Sequence, residues 1–229
     1  MIFHFNFSIG YSIYGTAILF FLYWQIRCIL KREPLNSFAR LFGRMAIFAA
    51  IAMAIYSLFY IFFGNNSFYL WLANTIGQPF LIISFVYALS VFFLIIKPNI
   101  PFSKIVIPLS IIGVFLSLFF HFKYPFLPTF DKHGFMYWNA SFLVSLNYSI
   151  FYIIGFLPLS IALLINGIKD KEVRGRSLFL AFALILVLGD TFSTAGSKTL
   201  YIFGNLCVSL GFTLLLFAYL WRGKREIIS

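Results

Sequence analysis

Charge is scarce in this chain, and acidic charge scarcer still. Of 229 residues only 10% are charged and six are acidic, while 62% are hydrophobic. The mean hydropathy is +0.97. So few polar groups could not cover a soluble domain of this size, which makes lipid its solvent. Cysteine is rare as well, with two residues. Cys28 ends the first apolar stretch and Cys207 lies inside the last. At 1.5 Å rise per residue their depths differ by roughly 20 Å, beyond disulfide reach. Cys28 is then a plain helix thiol or a juxtamembrane palmitoylation site. The three histidines are His4, His121 and His133. None is central in an apolar stretch, which argues against paired haem ligation inside a bundle. His133 lies close to Asp131, but two candidate ligands do not make a metal site. No Gly-x-Ser-x-Gly, His-Glu-x-x-His or phosphate-binding glycine loop occurs. No catalytic residue, cofactor or metal is expected, and the chain does not read as an enzyme. Tyr201 to Trp221 contains no lysine, and Lys198 sits at the helix mouth, which disfavours a retinal Schiff base.

Long apolar runs are what the chain has in abundance. A helical span needs about 20 apolar residues to cross roughly 30 Å of hydrocarbon. The runs predict seven spans, at roughly 9–30, 43–63, 67–96, 104–121, 140–167, 177–195 and 199–221. They are continuous rather than alternating, which argues against a β-barrel. The first is not read as a cleaved signal peptide. No basic segment precedes it, and Arg27-Cys28-Ile29-Leu30-Lys31-Arg32 follows it as a stop-transfer flank. Fourteen of the seventeen Lys and Arg residues fall on one side of these spans. They are Arg27, Lys31, Arg32, Arg40 and Arg44, then Lys97 and Lys104, then Lys169, Lys171, Arg174 and Arg176, then Arg222, Lys224 and Arg225. The other side holds Lys123, Lys132 and Lys198. Basic loops stay cytoplasmic, so the N-terminus is expected outside and the C-terminus inside. The net charge of +11 is thus a topology signal suited to an anionic inner leaflet. The basic residues are dispersed over four short loops, so no nucleic-acid partner is expected. The predicted fold is an all-α integral membrane protein, a seven-helix bundle in the inner (cytoplasmic) membrane of a prokaryote.

The spans carry a weak internal repeat. A shift of 132 residues aligns the second and third spans with the sixth and seventh, with eight identities over 45 positions. Gly43-Arg44 meets Gly175-Arg176, Ala49 meets Ala181, Gly64 meets Gly196, and Phe85 and Tyr87 meet Phe217 and Tyr219. A shift of 137 lays Tyr11-Ser12-Ile13-Tyr14 on Tyr148-Ser149-Ile150-Phe151. The reading is two parallel three-helix units, 9–96 and 140–221, joined by a connector helix at 104–121.

Polar side chains in hydrocarbon are costly and face the bundle interior or a cavity. The third span carries Asn74-Thr75-Ile76-Gly77-Gln78-Pro79. Asn74 and Gln78 are four apart and share a face. Pro79 frees the Thr75 carbonyl and, with Gly77, favours a kink. The two amides either line a polar ligand site or tie neighbouring helices together. Asn147 in the fifth span and Asn205 in the seventh extend the polar layer, and Pro158 is a second hinge candidate. Asp190 is the only acid clearly within an apolar stretch. It is read as a cation or proton site, as a partner of Lys198, or as a cap at the helix end. The connection from His121 to Asn139 is rich in aromatics, including Tyr124, Phe126, Phe130, Phe135, Tyr137 and Trp138. They form an interfacial belt or a lid over an outward pocket.

Two families share features with this chain. The run Tyr23-Trp24-Gln25-Ile26-Arg27, the basic link from Lys31 to Arg40 with Pro34, and the small-residue span ending near Tyr56-Ser57-Leu58-Phe59-Tyr60 resemble the seven-transmembrane sensor region of bacterial histidine kinases. That resemblance implies a bundle that senses a ligand or membrane state and relays a shift inward. No output domain follows Arg225 in the sequence, so a separate signalling partner is expected, or the chain is part of a longer protein. Length, orientation and the three-one-three repeat are similar to the SWEET-type sugar transporters. The Pro-Gln pair of that family is not found here. Span 1 has no proline, Pro158 has no following Gln, and Gln78-Pro79 has the reverse order. The expected function is a receptor or sensor whose ligand contacts Asn74, Gln78, Asn147, Asp190 and Asn205, with motion at Pro79 or Pro158. The alternatives are a small-solute transporter and a structural subunit that binds a membrane partner through Ala49, Ala50, Ala52 and Ala54.

Overall fold

A computed structural model describes residues 37–63, 66–96, 103–130, 136–137, 140–171, 174–189 and 198–220. Six helices fill them: α1 (Ser37–Phe63), α2 (Ser67–Ile96), α3 (Ser103–Lys123), α4 (Phe142–Lys169), α5 (Arg174–Val187) and α6 (Lys198–Leu220). Between α3 and α4 the chain forms a two-residue antiparallel pair, β1 (Thr129–Phe130) with β2 (Met136–Tyr137). Thr129 pairs with Tyr137 and Phe130 with Met136. The expected first span, 9–30, lies outside the described residues, as do Cys28 and Asp190. The end of the bundle carrying the β pair is called the hairpin end below, and the opposite one the basic end.

Four helices contain segments long and apolar enough to cross a membrane: Arg40–Phe59, Ser67–Ile96, Lys104–Lys123 and Phe142–Lys169. The outward faces show why lipid rather than water must surround them. On α3 the exposed side chains include Ile107, Ile111, Phe115, Phe119 and Phe122. On α4 they include Leu146, Ile150, Ile153, Leu157, Ile161, Ile165 and Ile168. Three- and four-residue steps put each set on one helical stripe. Contiguous apolar stripes on two adjacent helices would aggregate in water. The chain is therefore a multi-pass helical membrane protein.

The helix boundaries refine the sequence reading. α1 begins six residues before the expected 43 and absorbs Arg40 and Arg44, which are exposed. Long basic side chains can run along a helix and place their charge beyond its end. α2 matches its expected bounds. Asn66 Oδ1 caps it, accepting from the Phe68 and Tyr69 amides at 3.0 and 3.4 Å. α5 begins at Arg174 rather than 177 and stops at Val187, with Leu188 and Gly189 in a turn. Residues 190–195 of the expected span lie outside the described residues. Pro79 and Pro158 both sit inside continuous helices.

α2 is central, in contact with α1, α3 and α4, while α4 meets α5 and α5 meets α6. Lipid tails are as apolar as the side chains, so close packing and hydrogen bonds, not burial from water, hold such helices together. Two glycines around α2 permit close approaches. A Cβ on Gly155 would lie 2.5 Å from the Phe85 carbonyl oxygen, so α4 rests directly on the α2 backbone. A Cβ on Gly113 would lie 2.5 Å from Ile82 and 2.8 Å from Phe151, so α3 wedges against α2 and α4 together. Ser84 Oγ donates to the Met45 carbonyl at 2.9 Å and ties α2 to α1. At the basic end Arg174 reaches back to α4. Its Nε donates to the Gly167 carbonyl and its Nη2 to the Ile168 carbonyl, each at 3.2 Å. A cation on the last carbonyls of a helix also suits the helix dipole.

Candidate functional site

Phe85 organises the centre of the bundle. Tyr148, Tyr152 and Phe156 stand one turn apart on α4 and meet it edge-on, at ring-centroid distances of 5.5, 4.7 and 5.1 Å. Edge-to-face contacts suit the aromatic quadrupole. These rings form one wall of a cavity of about 50 Å³. Met45, Ala49 and Met53 of α1 form another. Leu184 and Val187 of α5 and Val208 and Leu215 of α6 close it. Five helices thus meet one small space, and its lining is almost wholly apolar. Tyr152 Oη donates to the backbone carbonyl of Val187. That bond links the cavity wall on α4 to the last residue of α5.

The cavity is small for its setting. An engineered apolar cavity of about 150 Å³ holds benzene, so a solute larger than a few heavy atoms needs side chains to yield. Met45 and Met53 can do so, because methionine is unbranched and turns about three bonds.

A second feature lies at the α2–α3–α4 junction, toward the hairpin end. α2 and α4 run in the same direction and α3 runs against them. One turn from the Gly113–Ile82–Phe151 contact therefore brings Ser117, Gln78 and Asn147 to one level. Ser117 Oγ donates to Gln78 Oε1 at 3.2 Å. His121, one turn further along α3, is fully buried, and its Nδ1 lies 2.8 Å from the Ser117 carbonyl. A carbonyl only accepts, so Nδ1 carries the proton in that bond and Nε2 of the neutral ring holds a lone pair.

Three buried polar atoms here have no hydrogen-bond partner: Trp71 Nε1, His121 Nε2 and Asn147 Nδ2. Leaving such an atom unpaired costs about 1–3 kcal/mol, and hydrocarbon supplies no alternative partner. Two further unpaired atoms are the hydroxyls of Ser57 and Ser110, on half-buried residues.

Among the residues expected to bind ligand, the structure places three. Asn74 Oδ1 accepts from Tyr56 Oη of α1 at 3.4 Å. Gln78 is buried against Ser117 of α3. Asn147 is buried on α4. None of these three lines the central cavity. Asn205 falls within α6, its side chain outside the described residues, and Asp190 lies outside them altogether. Sequence reasoning did not assign Phe85, Tyr152, Ser117, Trp71 or His121 to a site. The aromatic run at 148, 152 and 156 and the four-residue step from Ser117 to His121 were legible signals. Among the described residues no three His, Cys, Asp or Glu side chains gather as metal ligands would. No protein-family model and no curated protein matches the chain.

Proposed function

We propose that this protein is a receptor of the sensor type in the inner membrane, with seven spans, the N-terminus outside and the C-terminus inside. In this reading α1 to α6 are the second to seventh spans. A small apolar solute entering from the bilayer occupies the central cavity. It alters how Tyr152 holds the end of α5, and the change passes through α4 and α5 to their basic loop, where a separate partner reads it. The observation that carries this reading is the cavity itself. It touches five helices, and one of its wall residues bonds the last carbonyl of α5. A solute there would touch both α4 and α5, the helices that carry the change, and a switch requires that it bind their two arrangements unequally.

The test is hydrogen exchange on the full chain in nanodiscs, with and without toluene as the probe solute. Toluene is expected to change exchange at the Leu188 and Gly189 amides, and Tyr152→Phe is expected to remove that change. Unaltered exchange at saturating toluene would sink the proposal.

A second reading, a small-solute transporter, is favoured by one observation. Gly77 of α2 packs on the Tyr56 ring of α1, and Gly211 of α6 packs on Val187 of α5. Under the 132-residue shift Gly211 is two positions from the equivalent of Gly77, and Val187 one position from that of Tyr56. Both helix pairs thus cross at nearly matching places, as duplicated units would. Solute uptake into proteoliposomes would favour this alternative.

A further inference from the structure

The three unpaired atoms at the α2–α3–α4 junction lie under a plug. Beyond Lys123 the chain turns back over the bundle, and Phe126 is buried against Trp71 and Val144. Its ring centroid is 5.4 Å from that of His121. Pro128 is buried too, and its carbonyl accepts from Ser67 Oγ at the start of α2, at 2.8 Å. One loop residue therefore touches both Trp71 and His121, and Asn147 lies about one turn below Val144 on α4. Ser67 Oγ and the inserted Phe126 ring tie the segment to α2 and α3.

The unpaired atoms have a definite chemistry. Trp71 Nε1 and Asn147 Nδ2 are donors, and His121 Nε2 is an acceptor in the neutral ring. Between His121 and Asn147 the complement is one acceptor oxygen with an N–H or O–H close beside it. No charged side chain lines the junction among the described residues. Lys123 Nζ, at the end of α3, lies over the Phe119 and Tyr124 rings at 5.3 and 5.5 Å. A charged ligand has nothing there to neutralise it.

We propose that this junction is a binding site, separate from the central cavity, for a small uncharged molecule with a carbonyl beside an N–H or O–H, such as a primary amide. Phe126 is its gate, on the side that the charge pattern places outside. The carbonyl oxygen takes the Asn147 donor, the N–H donates to His121 Nε2, and Gln78 with Ser117 forms the floor.

The test is calorimetric titration of the full chain in nanodiscs with butyramide, N,N-dimethylbutyramide and toluene. Butyramide is expected to bind saturably. The dimethyl analogue, which has no N–H for His121, is expected to bind about tenfold more weakly. Asn147→Leu should weaken butyramide by a similar factor. The thermal unfolding of that variant without ligand establishes that it is folded. Toluene should not compete with butyramide, which separates this site from the central one. Phe126→Ala should speed butyramide association about tenfold or more, a readout independent of the Asn147 variant. Absence of saturable binding to both the parent and Phe126→Ala would overturn the proposal and leave the junction holding ordered water alone. Equal affinity for the two amides, or for the parent and Asn147→Leu, would overturn it as well.

Discussion

Phe85→Ala tests whether the aromatic cluster at the centre holds the bundle together. The ring makes three edge-on contacts, with Tyr148, Tyr152 and Phe156. At about 0.5–1.5 kcal/mol each these sum to about 2–4 kcal/mol. A Phe→Ala change in a water-soluble core costs about 3–5 kcal/mol, part of it the lost transfer from water. In a bilayer the side chain is in apolar surroundings before and after the helices associate, so that part drops out. The expected cost is therefore about 2–3 kcal/mol, all of it from packing. Phe115→Ala is the internal control. Phe115 is 65% exposed on the lipid face of α3 and stacks only on Phe119, at 6.2 Å. Its replacement is expected to change stability by less than about 0.5 kcal/mol. Both are measured by equilibrium unfolding in mixed micelles of rising SDS fraction, read by circular dichroism. A Phe85→Ala cost no larger than that of Phe115→Ala would refute the reasoning, because Phe85 would then be no more tightly packed than a lipid-facing ring.

Other substitutions probe different links. Gly155→Ala puts a methyl 2.5 Å from the Phe85 carbonyl and pushes α4 off α2. A loss of about 1–3 kcal/mol is expected in the same unfolding assay, despite the better helix propensity of alanine. Tyr152→Phe removes the bond to the Val187 carbonyl. It should cost about 0.6–1.7 kcal/mol and speed hydrogen exchange at Leu188 and Gly189. Ile111→Lys places a charge on the lipid stripe of α3. It should raise the apparent insertion free energy of that span by about 3 kcal/mol, read with a glycosylation reporter. The orientation is checked by thiol labelling. Lys171→Cys should react only from the cytoplasmic side and Leu127→Cys, exposed on the loop after α3, only from outside. The reverse pattern would invert the topology.

The length of each helix was far more legible in the sequence than its inward face. α2 is apolar almost throughout between Ser67 and Ile96, so its ends stand out against Asn66 and Lys97. For the same reason its buried face gives almost no periodic signal. A soluble helix announces its core by alternating with polar residues, and here lipid removes that contrast. α1 was cut short because Arg40 and Arg44 resemble loop residues, although the helix carries them. The four-residue step from Asn74 to Gln78 predicts that both amides share one face of α2. Spacing alone could not tell that Tyr56 of α1 meets one and Ser117 of α3 meets the other. That depends on which helices pack together, and a single sequence encodes it only weakly.

The polar residues of the spans divide by where their hydrogen bonds go. Thr75, Ser90 and Ser160 each donate to the carbonyl four residues earlier, those of Trp71, Val86 and Phe156. Such residues are satisfied within their own helix and need no neighbour. Ser84 and Ser117 donate across helices, to the Met45 carbonyl and to Gln78, and so fix packing. Trp71, His121 and Asn147 belong to a third group, each with an atom that neither its own helix nor a neighbour completes. In a water-soluble protein bulk solvent could often complete them. Under the Phe126 plug and inside hydrocarbon, the amide proposed above would complete those of His121 and Asn147. An amide, hydroxyl or indole N–H in a membrane span points to a ligand only after the chain's own acceptors and donors have been accounted for.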